Sequence, residues 1–262
     1  MKWTIGMPCY DNDAEVWFTV QALRMYHDLT DCEIVIIDNY GSDQLQNFVQ
    51  KNGKNTVRYY RHTDITGVSY AKNKIFEHAR GEYVLVIDSH ILIKPGALDL
   101  VPPGDDMIQG PLMQSSCNLY WCEWLPVWRS KMWGIWGKTL TDKDLPKEPF
   151  EIWATGAGFF ATRRDTWLGF NDNFRGFGGE TGYIQEKYRK NGRKVWCYPN
   201  MIWSHLFYNQ GRKIPYPLQL NDRIKNYLYG FEELGLDTEP IYKEFGDGKT
   251  KLVKAGMKKC YI

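Results

Sequence analysis

An α/β fold with a mostly parallel central sheet flanked by helices is predicted by three features of the chain. Apolar runs of strand length alternate with helix-patterned segments over residues 1–100. The segments between runs are roughly 10–15 residues long, enough for the crossover helices that join parallel strands. One run, Glu33–Asp38, is apolar at every interior position, as in a strand covered on both faces.

Each element has its own signal. Trp3–Pro8 is a short apolar run stopped by proline. Asp13 is placed to cap the next helix, where Val16, Val20, Leu23 and Met25 recur at helical spacing up to Leu29. After the Glu33–Asp38 strand, a polar helix over Gln44–Lys51 leads to the strand Thr56–Arg61. Ser69 is placed to cap a helix running to Ala79, and an Arg80-Gly81 turn precedes the strand Tyr83–Ile87. Near the C-terminus, Leu220, Ile224, Tyr227, Leu228 and Phe231 fall on one face of a helix over Leu218–Leu234. There is no internal repeat and no low-complexity linker.

With 262 residues, 43% of them hydrophobic, the chain can bury a core as one large domain or two small ones. Its 33 basic and 31 acidic residues leave a net charge of +2, too little for a global field that draws it to nucleic acid. The N-terminus lacks a signal-peptide pattern, and no run of about 18 apolar residues is present to span a membrane. Six cysteines (Cys9, Cys32, Cys117, Cys122, Cys197, Cys260) form no Cys-x-x-Cys pair, which fits a reduced cytosol.

The most informative motif ends the strand Tyr83–Ile87: Asp88-Ser89-His90. Side chains two apart on extended backbone share a side. Open α/β folds gather ligands at the carboxyl ends of their strands. A carboxylate beside an imidazole suits an Mn²⁺-like or Mg²⁺-like ion carrying phosphate oxygens. The alternative is a turn-capping Asp88 and a surface His90. Pro8 and Asp38 also sit where strand meets loop. Asp38 there either contacts a base or ribose, or forms a turn with Asn39 and Gly41. Gly67–Asn73 opens a helix with small residues, and Lys72 or Asn73 can add to the phosphate attraction of that helix start. No phosphate-loop signature or Gly-x-Gly-x-x-Gly fingerprint is present.

The second half is aromatic. Trp121, Trp124, Trp128, Trp133 and Trp136 are five of the chain's eleven tryptophans, and their spacing sets several on one helical face. They read equally as core under a flap or as a stacking surface for a sugar or base. Arg129 and Lys131 lie between them. Trp133, Trp136 and, further on, Trp203 are the candidate acceptor-binding residues. Ala154–Arg163 is small-residue rich and then strand-like, as where backbone passes close to a ligand. Gly176-Phe-Gly-Gly-Glu180 presents Glu180 at a helix start, either as a proton acceptor or as a dipole-complementing residue. His205, in Trp203-Ser-His205, is either a core histidine or a third metal ligand.

Taken in order, Asp-Ser-His, Ala-Gly-Phe-Phe-Ala-x-x-Arg, Phe-Gly-Gly-Glu, Val-Trp-Cys-Tyr-Pro and Ser-His resemble the catalytic domain of the polypeptide N-acetylgalactosaminyltransferases. They are also similar to the wider family-two-like glycosyltransferases of GT-A fold, over residues 3–210. The resemblance implies that Asp88, His90 and His205 hold Mn²⁺ (or Mg²⁺) on the diphosphate of a UDP-sugar. Asp38 then looks like a uridine-contacting acid, Gly179 and Glu180 like a sugar-facing loop, and Gly67–Asn73 like a donor-side helix start. It also implies retention of anomeric configuration. The expected organisation is a GT-A catalytic domain over 1–210, split into a nucleotide-sugar half (1–100) and an acceptor-side half (101–210). A helical extension with a lysine-rich tail covers 211–262.

The chain departs from that family in three ways. Asp38-Asn-Tyr-Gly-Ser-Asp43 stands where relatives carry paired acids, and neither a membrane anchor nor a lectin domain is expected. A bacterial or viral enzyme of the bacterial or infected-host cytoplasm fits this better than a secretory one. The expected acceptor is a hydroxymethylated base in viral DNA, on the strength of the tryptophans and of Lys243, Lys249, Lys251, Lys254, Lys258 and Lys259. A protein or cell-surface carbohydrate hydroxyl is the alternative acceptor. A binding module without turnover and a nucleotidyltransferase are the alternative functions.

Overall fold

The computed structural model describes residues 1–52, 56–137 and 139–258. Lys259 and Cys260 therefore lie outside the described residues, as does the side chain of Lys258. The first half alternates as expected: β1 (Trp3–Cys9), α1 (Asp13–Tyr26), β2 (Cys32–Asp38), α2 (Asp43–Asn52), β3 (Val57–Arg61), α3 (Val68–His78) and β4 (Tyr83–Ile87). Strands β4, β1, β2 and β3 lie side by side and parallel.

Eleven further strands come after these: β5 (Ile91–Ile93), β6 (Met107–Gln109), β7 (Leu112–Met113), β8 (Leu119–Trp121), β9 (Trp124–Arg129), β10 (Met132–Trp136), β11 (Thr139–Thr141), β12 (Phe150–Glu151), β13 (Phe159–Arg163), β14 (Val195–Cys197) and β15 (Trp203–His205). The main sheet has the order β12-β14-β6-β13-β4-β1-β2-β3, with β13 antiparallel to both neighbours. A smaller sheet, β11-β8-β7-β15-β5, brings His205 opposite Ile91, next to His90. Helix α4 (Glu180–Lys190) precedes β14, and α5 (Leu220–Glu233), α6 (Glu239–Phe245) and α7 (Asp247–Lys258) close the described chain.

The continuous apolar runs feed both faces of the sheet. Ile34 and Ile36 of β2, with Leu85 and Ile87 of β4, pack on the α1 and α2 side. Val35, Ile37, Val84 and Val86 alternate onto the α3 and α4 side. Ile224, Tyr227, Leu228 and Phe231 of α5 form a third cluster with Ile241, Phe245 and Val253, which matches the predicted helix face.

Three local expectations are corrected. Asn12 and Gly67, not Asp13 and Ser69, stand at the caps of α1 and α3, so those helices begin one residue and two residues ahead of the predicted first turn. Asp13 instead accepts a hydrogen bond from Ser42 Oγ. The tryptophan segment is no helix but an antiparallel hairpin, in which Trp128 faces Trp133 and Trp124 faces Trp136. Ser130 and Lys131 make its turn with φ of 52° and 61°, the left-handed pair of a two-residue hairpin loop. Folding two strands back across this turn reproduces a spacing that mimics helical periodicity. In the lysine-rich tail, Lys251 pairs with Asp247 at 2.7 Å and Lys254 with Glu232 at 2.6 Å.

Candidate active site

The carboxyl ends of β1 and β4 open onto a cavity of about 740 Å³. Its lining draws on many parts of the fold: Pro8 near the end of β1 and Asn12 after it, Gly67 at the cap of α3 and Lys72 within it, Asp88 and His90 after β4, and Glu180 at the head of α4. Trp124 and Trp136 of the hairpin, His205, and the loop Ile214–Leu218 complete it.

At its floor the donor atoms of Asp88, His90 and His205 lie within 4.8 Å of one another. The His90 and His205 Nε2 atoms are 3.1 Å apart, and His205 Nε2 is 3.7 Å from Asp88 Oδ2. Burial pushes His90 down to about 3, against the pull of Asp88, so its ring is neutral and offers a lone pair. Burial alone would raise Asp88. The Lys72 ammonium 3.5 Å away, with the two imidazoles, outweighs burial and holds the carboxyl well below its usual range. An ionised carboxylate beside the neutral His90 ring, with a second imidazole from His205, is a donor set that fits a divalent metal. Among the described residues the buried Nδ1 of His205 has no hydrogen-bond partner, and it is Nε2 that meets His90 and Asp88.

Two neighbours shape this corner. Lys72 is 2% exposed and donates to the Ala157 carbonyl at 2.7 Å, pinning the 154–158 segment beside Asp88. A Cβ on Gly158 would lie 2.6 Å from Asp88 Oδ2, so glycine there leaves the carboxylate its place. Glu180 is buried and accepts the Gly178 N–H at 2.8 Å; burial raises its carboxyl, with Lys72 opposing.

Of the residues predicted from sequence, Pro8, Gly67, Lys72, Asp88, His90, Glu180, His205, Trp136 and Trp203 line the cavity. Trp203, at 2% exposed, is floor rather than open stacking surface: it stacks on Phe159 and donates to the Gly110 carbonyl at 2.9 Å. Four predicted residues do not line it. The Asp38 carboxylate is 1% exposed and saturated by the N–H groups of Tyr40, Gly41 and Ser42 and by the Tyr59 hydroxyl. Its neighbour Asn39 reaches the cavity instead and accepts the Gly67 N–H. Asn73 holds the 167–170 turn through Phe170 and Trp167. Gly179 packs on Asn226, and Trp133 packs against Gly182, Trp153 and Phe231.

Sequence reasoning missed Asn39, Tyr216 and Arg223. The Ile214-Pro-Tyr-Pro-Leu218 run, with proline on both sides of an aromatic, was a usable signal for Tyr216. Arg223 carried none, because α5 reads as packing.

A sequence model of glycosyl transferase family 2 matches residues 4–165, that is, β1 through β13. The chain belongs to glycosyl transferase family 2. The matched span contains Asp88 and His90, whereas Glu180, His205 and Arg223 lie beyond it. No curated protein matches the sequence.

Solved structures extend the likeness over most of the chain. GalNAc-T7 with UDP, GalNAc and Mn²⁺ aligns at TM-score 0.68 and 17% identity, over 88% of this chain and 48% of that one. S. aureus TarS 1-349 in complex with UDP-GlcNAc aligns at 0.57 and 14%, over 94% and 71%. The mannosyltransferase PcManGT from Pyrobaculum calidifontis, in complex with GDP-Man and Mn²⁺, aligns at 0.56 and 14%, over 97% and 73%. Such identities speak for fold alone, and with the family membership the fold is GT-A. The chain spans about half the length of the GalNAc-T7 chain.

Proposed function

We propose that this protein is a metal-dependent glycosyltransferase that moves a sugar from a UDP-sugar to an acceptor hydroxyl. The observation that carries this reading is the convergence of Asp88, His90 and His205 within 4.8 Å at the floor of the cavity. The nucleotide sugars in the TarS and PcManGT structures, and the UDP and GalNAc in that of GalNAc-T7, support a nucleotide-sugar donor.

Transfer breaks the bond between the sugar's anomeric carbon and the diphosphate oxygen, whose electron pair leaves with the diphosphate. A new bond forms from the anomeric carbon to the acceptor oxygen, which loses its proton. Asp88, His90 and His205 would hold Mn²⁺ or Mg²⁺, which when bound supplies positive charge for the departing diphosphate. Lys72 keeps Asp88 ionised and the 154–158 backbone in place. Glu180, buried at the cavity wall, accepts a hydrogen bond from a sugar or acceptor hydroxyl and is the group we assign to take the proton. Retention of configuration, inferred from the resemblance, is read by NMR of the product anomer.

For the acceptor we infer a hydroxymethylated base in DNA. Trp124, Trp136 and Phe207 give the cavity a stacking wall, and a base must leave its duplex to enter it. The same wall can stack on a sugar ring, which keeps a glycan or protein-borne hydroxyl as the second reading. The free thiols of Cys9, Cys32 and Cys117 support a reducing cytoplasm, and among the described residues no helix is long and apolar enough to cross a membrane.

A thermal-shift panel of nucleotide-diphosphate sugars, each with and without Mn²⁺, tests the proposal. Stabilisation that needs both the ion and a UDP-sugar is expected, growing with ligand concentration. No metal-linked shift with any donor would remove the metal reading and favour a module without turnover.

A further inference from the structure

Beside the cavity, where the hairpin turn meets α5, three cations gather, with Glu180 acting on Arg223 from the cavity wall. Arg129 and Lys131 are exposed at the hairpin turn, and Arg223 lines the cavity from α5. None of the three makes an ion pair among the described residues, in contrast to Lys251 and Lys254 of the tail.

Arg223 is held but not used. Its guanidinium lies 5.6 Å from the centre of the Phe177 ring. Among the described residues its Nη1 reaches the Lys131 carbonyl alone, at 3.5 Å, and its buried Nε has no hydrogen-bond partner. The loop beside it closes tightly: Gly178 has φ of 102°, and a Cβ there would lie 2.6 Å from Nε. The backbone N–H of Lys131 is anchored to Glu244 at 2.7 Å, so the hairpin turn is fixed against α6. A planar guanidinium placed by a ring and a glycine, whose one hydrogen bond is long, can offer its two amino groups to an oxyanion that accepts two hydrogen bonds. Its neighbours at this edge are Ser130 and Met132 of the tryptophan hairpin, whereas the metal-binding triad lies on the floor.

We propose that Arg223, with Lys131 beside it, binds a backbone phosphate of a nucleic-acid acceptor and so fixes the strand whose base enters the cavity. This deepens the glycosyltransferase reading and rests on it. It also moves the nucleic-acid contact from the lysine-rich tail, where Lys251 and Lys254 are paired with Asp247 and Glu232, to the edge of the site.

The test is fluorescence anisotropy of a short single-stranded oligonucleotide carrying one 5-hydroxymethyl pyrimidine, titrated over salt, with UDP and Mn²⁺ binding measured by calorimetry on the same samples. Arg223→Gln should weaken oligonucleotide binding about five- to tenfold and reduce the salt slope by about 1. Arg223→Lys should restore the slope without the full affinity, because it keeps the charge and loses the fork. Lys131→Gln, at an exposed position that cannot unsettle the core, should weaken binding by a smaller factor. UDP binding should not change in any of them. Wild-type affinity in Arg223→Gln, or no salt-dependent binding by the wild type, would overturn the proposal. So would weakened UDP binding in Arg223→Gln, which would assign the residue to the donor. Absence of UDP binding in the wild type would instead remove the glycosyltransferase reading.

Discussion

Two strands of the same sheet lead into aspartate after nearly the same apolar run: Ile34-Val-Ile-Ile-Asp38 closes β2, and Val84-Leu-Val-Ile of β4 is followed by Asp88. Their fates differ. Asp38 turns back on its own loop and accepts four hydrogen bonds, from three successive N–H groups and the Tyr59 hydroxyl. Among the described residues the Asp88 carboxylate has only longer contacts, to Lys72 at 3.5 Å and His205 at 3.7 Å, and it is partly open to the cavity. The residues after each aspartate make the difference. Asn-Tyr-Gly-Ser folds into a turn, with Gly41 at φ of 95°, that wraps the first carboxylate. Ser-His continues toward β5 and leaves the second carboxylate free to act. A carboxylate at a strand end is chemical machinery only while its lone pairs are left unfilled.

The largest expected effect breaks the open one. Asp88→Asn should cut sugar transfer by more than the roughly 10- to 100-fold typical of losing an outer partner of a metal ligand. The far-ultraviolet spectrum should be unchanged, since Lys72 keeps its bond to Ala157. Radiolabelled sugar transfer decides it, and full activity in this variant would leave the triad without a role.

Asp38→Asn should do the reverse. Replacing one carboxylate oxygen by an NH₂ group sets donor against donor in a buried turn and leaves at least one N–H unsatisfied, at a cost of about 1–3 kcal/mol. Denaturant unfolding should show that loss, while calorimetry of the folded variant gives donor affinity close to wild type. A large loss of donor binding without loss of stability would show that Asp38 leaves its loop to meet the nucleotide.

The same contrast explains how far the sequence could be read. In β1 to β4 each element is made by neighbours in the chain, so apolar periodicity gave the strands, the helices and the position of Asp88 and His90. The partners that finish the site come from far away: His205 is set beside His90 by the pairing of β15 with β5, 115 residues along. Trp128 and Trp133 looked helical because only the two-residue turn between them, with no glycine to announce it, reveals a hairpin. Asp38 stayed open between two readings, and Arg223 was missed, for one reason. Whether a polar group is saturated depends on tertiary neighbours that spacing does not encode.

At the other end of the sheet a third carboxylate sharpens the comparison with the smallest effect. Glu33 is buried at the start of β2, where it accepts from Thr4 Oγ1, Arg58 Nη1 and the Arg80 N–H, each at 2.7 Å. Burial pushes its carboxyl up, but these three donors and the arginine charge outweigh burial and leave it below its ordinary value. A carboxyl depressed on folding stabilises the folded state above its unfolded value, about 4.3, and loses that contribution as the pH falls through the lower folded value. The stability difference between wild type and Glu33→Gln, followed by urea unfolding, should therefore be constant above about pH 5 and shrink below about pH 4. Transfer activity of Glu33→Gln at neutral pH should match wild type, because Thr4, Arg58 and Arg80 lie at the amino ends of the strands and none of them lines the cavity. A gap that widens on acidification would mean that Glu33 is held by something other than its three donors, and saturation would no longer separate the structural carboxylates from Asp88.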